Sequence, residues 1–576
     1  MKLKRIVCLV LCLSLAFTIL GACDKQEEAK TLEETKASNI SQEESKTAEN
    51  ATPEPTLFDI YGNMENTLEI SWIGQNGAEI EDGNMVQKYI EEKFNVKLIN
   101  TKADIQDSDA INLRLIDDMP DAGFMYLDAR EMYDEGLTRS IPKEFIETFA
   151  PNYTNMLNEH PLGWNMHKAL DKQDEYTALT GISMNLENLT VRSYFRLDWL
   201  EKLDMVPDIE IYQVDDEGRV WASDESPTFE EFDAILEAFV EDDPNSSGED
   251  DTWGFSGWGD VDGFCWSVFE GMYGFANGYS VLYDGELYEW CISPQYKDYL
   301  KQMRDWYQRG IMDDEFITLS RSNWREKGGS GLFGYWTTTF NYLDLTATYA
   351  YNRPPLNILE NDPDAKILTT APVYGPTGLR GVRQWSPVSA LNYEFYIAND
   401  VTDEELARIL QIFDHINYDM DAVVFSRFGV EGETFEWLGE PYKSKPVLKE
   451  GYDLGGSTGF NYYNHPTNTD EFMPFQYGEW PNKIYDFHKG KGKELQIRPY
   501  KYDYFSETDI TEVERVYGES LNTIRDEFWI RSITQADADI DAEWDDYVQT
   551  WMGAGGTEYM AELEKAPVVE DLLAGK

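Results

Sequence analysis

The sequence predicts an α/β protein built as two lobes, on three observations. "LEISWIG" alternates Leu68, Ile70 and Trp72 on one face. "NMVQKYIEEKF" then sets Val86, Tyr89, Ile90 and Phe94 at helical spacing, and "NVKLI" returns to a strand. A β-α-β opening of this kind favours a parallel sheet. More than 500 residues follow the first 56, beyond what a single hydrophobic core supports. No internal repeat or second long linker divides them, which two lobes interwoven by chain crossovers would explain.

From the amino terminus onward, residues 1–22 read as a secretory signal. Lys2, Lys4 and Arg5 precede an apolar run from Ile6 to Leu20, short for a spanning helix of about 20 apolar residues. The run ends in Leu20-Gly21-Ala22-Cys23, a bacterial lipobox, so the mature chain is expected to begin at a lipidated Cys23. That places it at the outer face of the cytoplasmic membrane, anchored by lipid without crossing. Residues 23–60 form an acidic segment that carries no aromatic residue from Asp24 to Thr56 and contains a Pro-Glu-Pro; it reads as a disordered linker.

Composition narrows the partners. A formal charge of −60 argues against nucleic acid and against docking on anionic lipid. Aromatic residues make up 14% of the chain, more amphipathic ring surface than a core usually needs, and some is expected to line a binding site. Cys8 and Cys12 leave with the signal, which leaves Cys265 and Cys291 as thiols that a disulfide would join if their geometry allowed.

Two later helices carry start signals. "SPTFEEFDAILEAFV" has Thr228 with Glu231 three residues on, a capping box, and a stripe of Phe232, Ile235, Leu236 and Phe239. "VTDEELARILQIF" repeats the device with Thr402 and Glu405. From about Thr508 the chain reads as acidic amphipathic helix.

Segments spread along the chain carry a resemblance. "NMVQKYIEEKFNVKL", "LIDDMPDAGF", "SYFRLDWLEKLDMVP", "FEEFDAILEAFVEDDPNSSGEDDTWGF" and "ITQADADIDAEWDDYVQTWMGAGGTEYM" together resemble the extracellular solute-binding lipoproteins of carbohydrate ABC importers, in a LipO-like branch near the alginate-oligosaccharide-binding proteins. The similarity runs in order from about Leu68 to Met560, with a departure at Ile116-Asp117-Asp118-Met119-Pro120-Asp121, where such proteins have a small residue and glycine before the turn. The resemblance implies a periplasmic-binding-protein-like fold of type II, with a hinge between lobes and a helical carboxyl-terminal region. Lobe one would span 61–185 and 336–395, and lobe two 186–335 and 396–576. It also implies a monomer that holds an oligosaccharide between its lobes, does no catalysis, and presents the closed form to permease subunits.

Asp243, Asn245, Ser247, Glu249 and Asp251 occupy positions 1, 3, 5, 7 and 9 of a loop with Gly248 at position 6, the spacing of an EF-hand calcium loop. Position 7 would give its carbonyl, and the usual glutamate at position 12 is replaced by Gly254. Alginate-binding relatives are similar in carrying calcium there, closed by an acidic residue where this chain has Thr252. A structural Ca2+ is expected, with a polar helix-to-strand turn as the plainer reading.

"WGFSGWGDVDGFCW" follows, and Trp258 and Trp266 offer flat faces for sugar C–H patches. Trp72 is expected beyond the carboxyl edge of the first strand, where α/β sheets bind ligands. Segments resembling cleft regions nominate Trp336, Arg383 and Trp385, with Tyr462 added from "GFNYYNHP", and Asp121 is expected to accept sugar hydroxyls. The rival is a secreted glycoside hydrolase, whose paired carboxylates have no specificity among 108 acidic residues. A peptide-binding importer component is a closer alternative.

Overall fold

The computed structural model describes residues 55–574, apart from 76, 104, 106–110, 112–118, 126, 160, 183–190, 216, 340–355, 384–389, 453–455, 466–474, 476–491 and 504–506. The signal, the lipobox with Cys23, most of the expected linker, and Trp385 lie outside the described residues. Of the expected linker, Leu57–Tyr61 (α1) is helical, capped by Thr56, and Phe58 and Tyr61 lie against Phe149 and Phe145. Among the described residues no helix is long and apolar enough to cross a membrane.

The β-α-β opening forms as expected. Leu68–Ile73 (β1) and Val96–Asn100 (β2) pair in parallel around the helix Met85–Phe94 (α2). Ala122–Met125 (β3) pairs in parallel on the other side of β1 and leads to the helix Ala129–Asp134 (α3). Leu179–Ile182 (β4) forms the far edge. The fifth strand comes from much later, Ala390–Ile397, inserted antiparallel between β3 and β4. Period-2 alternation sorts its neighbours: Ile70, Trp72 and Phe395 face the larger core, whereas Ile73, Met125 and Tyr396 face a smaller one.

The second sheet uses Val191–Arg196 (β5), Tyr212–Gln213 (β6), Val220–Ala222 (β7), Trp253–Phe255 (β8), Phe333–Thr339 (β9) and Ile367–Thr370 (β10) in the order β8-β9-β5-β10-β7-β6. Helices Phe229–Glu241 (α4) and Pro294–Gln308 (α5) pack on it. Val382–Arg383 (β11) pairs with Gln496–Ile497 beside this core. The inserted strand Ala390–Ile397 (β12) is followed by Asp403–Tyr418 (α6), which is buried along most of its length in the first core. Both capping boxes form: the Thr228 and Thr402 hydroxyls accept from the Glu231 and Glu405 amides, and each glutamate accepts from its threonine amide. The acidic tail is helical, with Ile510–Thr534 (α7) and Ile540–Trp551 (α8) sealing the second core through Phe528, Trp529, Trp544 and Trp551.

The chain therefore passes between the cores after Ile182, after Arg383 and after Phe475, which still packs on Val423 and Trp437 beside the first core. This partition differs from the expected boundaries. Trp336, expected to open a first-lobe segment, lies opposite Tyr194 in β9 of the second sheet. Residues 401–463, expected in the second lobe, supply Leu406, Ile409, Phe413 and Tyr462 to the first core, because β12 delivers the chain directly into α6. Trp266 is fully buried among Phe269, Phe316 and Trp529, and its indole N–H donates to the Asp260 carbonyl at 2.8 Å. Trp266→Ala should lower unfolding free energy by about 3–5 kcal/mol in urea titrations.

Candidate functional site

A cavity of about 600 Å³ opens on the second core, between α7, Arg383, Tyr502 and the 289–291 turn. Helical spacing builds one wall: Glu514, Gly518, Leu521 and Arg525 recur every three or four residues on one face of α7. Gly518 leaves that face open, since an added Cβ would meet only the Glu514 Cβ at 4.0 Å. Tyr559, half-buried, and Tyr502, 39% exposed, contribute ring surface, whereas Trp290 and Trp551 are 3% exposed and back the wall from the core.

Arg525 anchors the inner end. Its Nη1 and Nη2 donate to the two carboxylate oxygens of Asp262 at 3.3 and 3.1 Å, and Nε donates to Asp526 at 2.8 Å. The guanidinium carbon lies 5.5 Å from the centre of the Trp290 ring. Burial pulls its pKa down, but Asp262 and Asp526 more than offset this and raise it. Arg383 is held from behind: Nη1 donates to Asn277 Oδ1 at 2.7 Å, its backbone N–H donates to Ser267 Oγ at 3.1 Å, and it lies 4.8 Å over Tyr279. The Asn277 amide is oriented in turn by Glu270, which accepts from its Nδ2 at 3.1 Å.

Burial pushes two carboxyls of this region up to about 8, Glu289 in the cavity wall and Glu270 behind it. For Glu289 the nearby Glu514 adds to the effect, while Arg525 and a hydrogen bond with Tyr559 oppose it. Glu514 is open to water on the cavity wall, yet enough protein surrounds it to raise its pKa, and Asp128 at the start of α3 adds to that.

Among the described residues nominated from sequence, Arg383 alone lines this cavity. Trp72, Trp266, Trp336 and Tyr462 are 0% exposed and Trp258 is 6% exposed, so their faces are occupied by protein. Trp72 packs on Phe395, and the Tyr462 hydroxyl donates to the Trp72 carbonyl at 2.6 Å. Trp258 packs on Phe264 and Trp324. Asp121 stands beside the middle of β1, away from the carboxyl edge, accepting from Ser71 N and Oγ at 2.6 and 2.9 Å. Two glycines of "WGFSGWGDVDG" admit indoles of their own loop: an added Cβ on Gly257 would lie 2.2 Å from the Trp266 ring, and one on Gly263 2.8 Å from the Trp258 ring. Cys265 and Cys291 are free buried thiols, their pKa pushed up by burial.

The acidic loop folds inward. Asp243 (φ 43°) accepts from Ser247 N and Gly248 N at 2.9 and 3.1 Å, and Asn245 Oδ1 also accepts from Ser247 N at 3.1 Å. Asp251 Oδ1 accepts from Asn245 Nδ2 and Ser247 Oγ, each at 2.9 Å. The side chains at positions 1, 3, 5 and 9 thus converge, and the position-7 carbonyl of Glu249 lies 3.3 Å from Ser247 Oγ. Oxygen donors of this kind suit a hard cation. They include only two carboxylates, and among the described residues no cluster of three or more His, Cys, Asp or Glu is arranged for a metal.

No family model matches the chain. It is 24% identical over 361 residues to Lipoprotein LipO of Bacillus subtilis strain 168, covering 59% of this chain and 64% of LipO, so the match spans less than two thirds of that protein. A second B. subtilis homologue, the polygalacturonan/rhamnogalacturonan-binding protein YtcQ, is 26% identical over 212 residues, 36% of this chain and 39% of YtcQ. Among solved structures, the S. pneumoniae ABC-transporter substrate binding protein FusA in complex with kestose superposes with a TM-score of 0.63 at 17% identity, over 87% of this chain and 98% of FusA. The alginate-binding protein AlgQ2 without calcium ion gives 0.59 at 17% identity, over 89% and 99%. The fold is that of the two-lobed solute-binding proteins.

Within this solute-binding fold the cavity reaches the boundary between lobes. Thr511 lines both it and a second cavity of about 400 Å³, walled by Asp128, Glu131 and Asp134 of the first lobe and by Glu512 and Arg515 of α7. The missed cavity residues lie far apart in sequence, at 262, 289, 502 and 514–525, and only the helical face of α7 carried a local signal.

Glu289 makes stability depend on pH. The folded protein holds its proton more tightly than the unfolded chain, whose ordinary value is 4.5. Its contribution is full below pH 4.5 and is lost as pH rises to about 8. Glu289→Gln, which cannot ionise, should match wild type near the lower limit and melt progressively above it towards the upper one. Tryptophan fluorescence melts across that range measure the difference, and a constant offset would place the proton elsewhere.

Proposed function

We propose that the chain is a non-catalytic, lipid-anchored solute-binding protein that captures an oligosaccharide between its lobes and delivers it to an ABC importer. The observation that carries this reading is the second-lobe cavity that adjoins the lobe boundary through Thr511, where tyrosine ring surface stands beside carboxylates and guanidiniums held in fixed geometry. Aromatic faces suit sugar C–H patches, and charged hydrogen-bonding groups suit ring hydroxyls. The names of the relatives agree: YtcQ is a polysaccharide-binding protein, LipO a lipoprotein, and FusA was solved with kestose. Lobe one would comprise residues 57–182 and 390–465 with Phe475, and lobe two 191–383 and 492–574, closing on ligand about the three passages between them. Cys23 would carry the lipid and hold the protein on the extracellular face of the membrane.

Gly518→Leu tests the site without weakening the fold. Leucine is the better helix former, and its side chain would project into the cavity. The variant should melt no lower than wild type, yet lose at least a hundredfold in affinity for the best oligosaccharide of a calorimetric panel. Tyr502→Ala should lose about tenfold, near 1.4 kcal/mol. Retained affinity in Gly518→Leu would move the binding site elsewhere.

The acidic loop would hold a structural Ca2+ through Asp243, Asn245, Ser247 and Asp251, with the Glu249 carbonyl. FusA has been solved as an EF-hand mutant, and AlgQ2 without calcium ion. Calcium at a hundredfold excess over its Kd should add about 2.7 kcal/mol of stability. Chelation should remove that gain, and Asp243→Ala should show no response to either treatment in melting curves.

A further inference from the structure

We infer that the cavity selects a glycan free of carboxylate and sulfate groups, an inference that rests on the sugar-binding reading above. Five acidic side chains line it, Asp262, Glu289, Asp503, Glu514 and Glu519; with Glu289 held protonated up to about pH 8, the other four stand as carboxylates against the guanidiniums of Arg383 and Arg525. Arg525 is already committed, its three donor nitrogens lying between Asp262 and Asp526. A bidentate guanidinium is the group that recognises a planar carboxylate best, and this one has no fork to offer. Arg383 is the cation an acidic sugar would seek, since its Nη1 partner, Asn277, is neutral. Arg383 acts on the buried Glu270 behind Asn277, and the carboxylates lining the cavity outnumber the two guanidiniums.

The surroundings carry a net charge of the same sign. Asp128, across the lobe boundary, acts on Glu514, and acidic side chains outnumber Arg130 and Arg515 in the walls of the adjoining cavity. The whole chain carries −60, so the long-range field also opposes an approaching anion. The homologue YtcQ is named for binding polygalacturonan, an acidic polymer, so the inference separates this chain from that relative.

The test uses the full chain in detergent, on an array holding neutral, amino-bearing, uronate and sulfated oligosaccharides. Calorimetry follows with the best neutral binder, its counterpart oxidised to the uronate, and galacturonate oligomers beside their methyl esters. The tightest ligand should lack acidic groups, and each carboxylate should weaken binding at least tenfold. Glu514→Gln with Glu519→Gln, both on the water-facing wall, should narrow that gap, as should higher ionic strength with the unaltered protein. If an acidic glycan is the tightest ligand, or if the gap survives both treatments unchanged, the inference falls while the proposed function stands. Silence from every class overturns the proposed function and this inference with it.

Discussion

Strand β12 lies antiparallel between β3 and β4, pairing Phe395 with Phe124 on one side and with Leu179 on the other. Without it both neighbours would present unpaired edges over a buried core, a state in which backbone groups lose their partners. The segment that fills this gap arrives after the whole second sheet has been laid down, so the chain must leave the first core and return to it. Phe395, Tyr396 and Ile397 are fully buried in β12 and fix its register. The return also decides where α6 goes: the chain emerges beside the first core, and Thr402 starts the helix there. The third passage then carries the acidic helices back to the second core, where α7 forms the cavity wall.

How far the sequence discloses this follows from the range of the interactions concerned. The β-α-β opening, both capping boxes and the helical tail rest on contacts within a few residues, and all were legible. The insertion of β12 rests on pairings across more than 200 residues, which no local pattern reveals. The same limit explains the tryptophans. An indole near glycines suits a sugar platform and a crowded interior equally well, and Gly257 decides the matter only once its neighbour Trp266 is seen to fill the space. Arg383 was reached through a resembling segment, whereas Asp262 and Glu289 gave no sign of their role before α7 was packed against them.

The cavity's charged groups are arranged before any ligand arrives. Arg525 is held from two sides and backed by an indole, and Arg383 is fixed through Asn277 to a buried glutamate. A side chain already held in place loses little freedom when a ligand hydroxyl meets it, so more of each hydrogen bond survives as affinity. The cost is borne by the folded protein, which keeps Glu270 and Glu289 in surroundings that disfavour their ionised forms. Such a site suits a ligand that offers many hydroxyls and no charge of its own: hydroxyls can donate to the carboxylates and accept from the guanidiniums without altering the local charge balance. An acidic group would meet Arg383 among carboxylates of its own sign, and at Arg525 it would have to displace Asp262. The groups that hold the cavity in shape thereby also determine what can enter it.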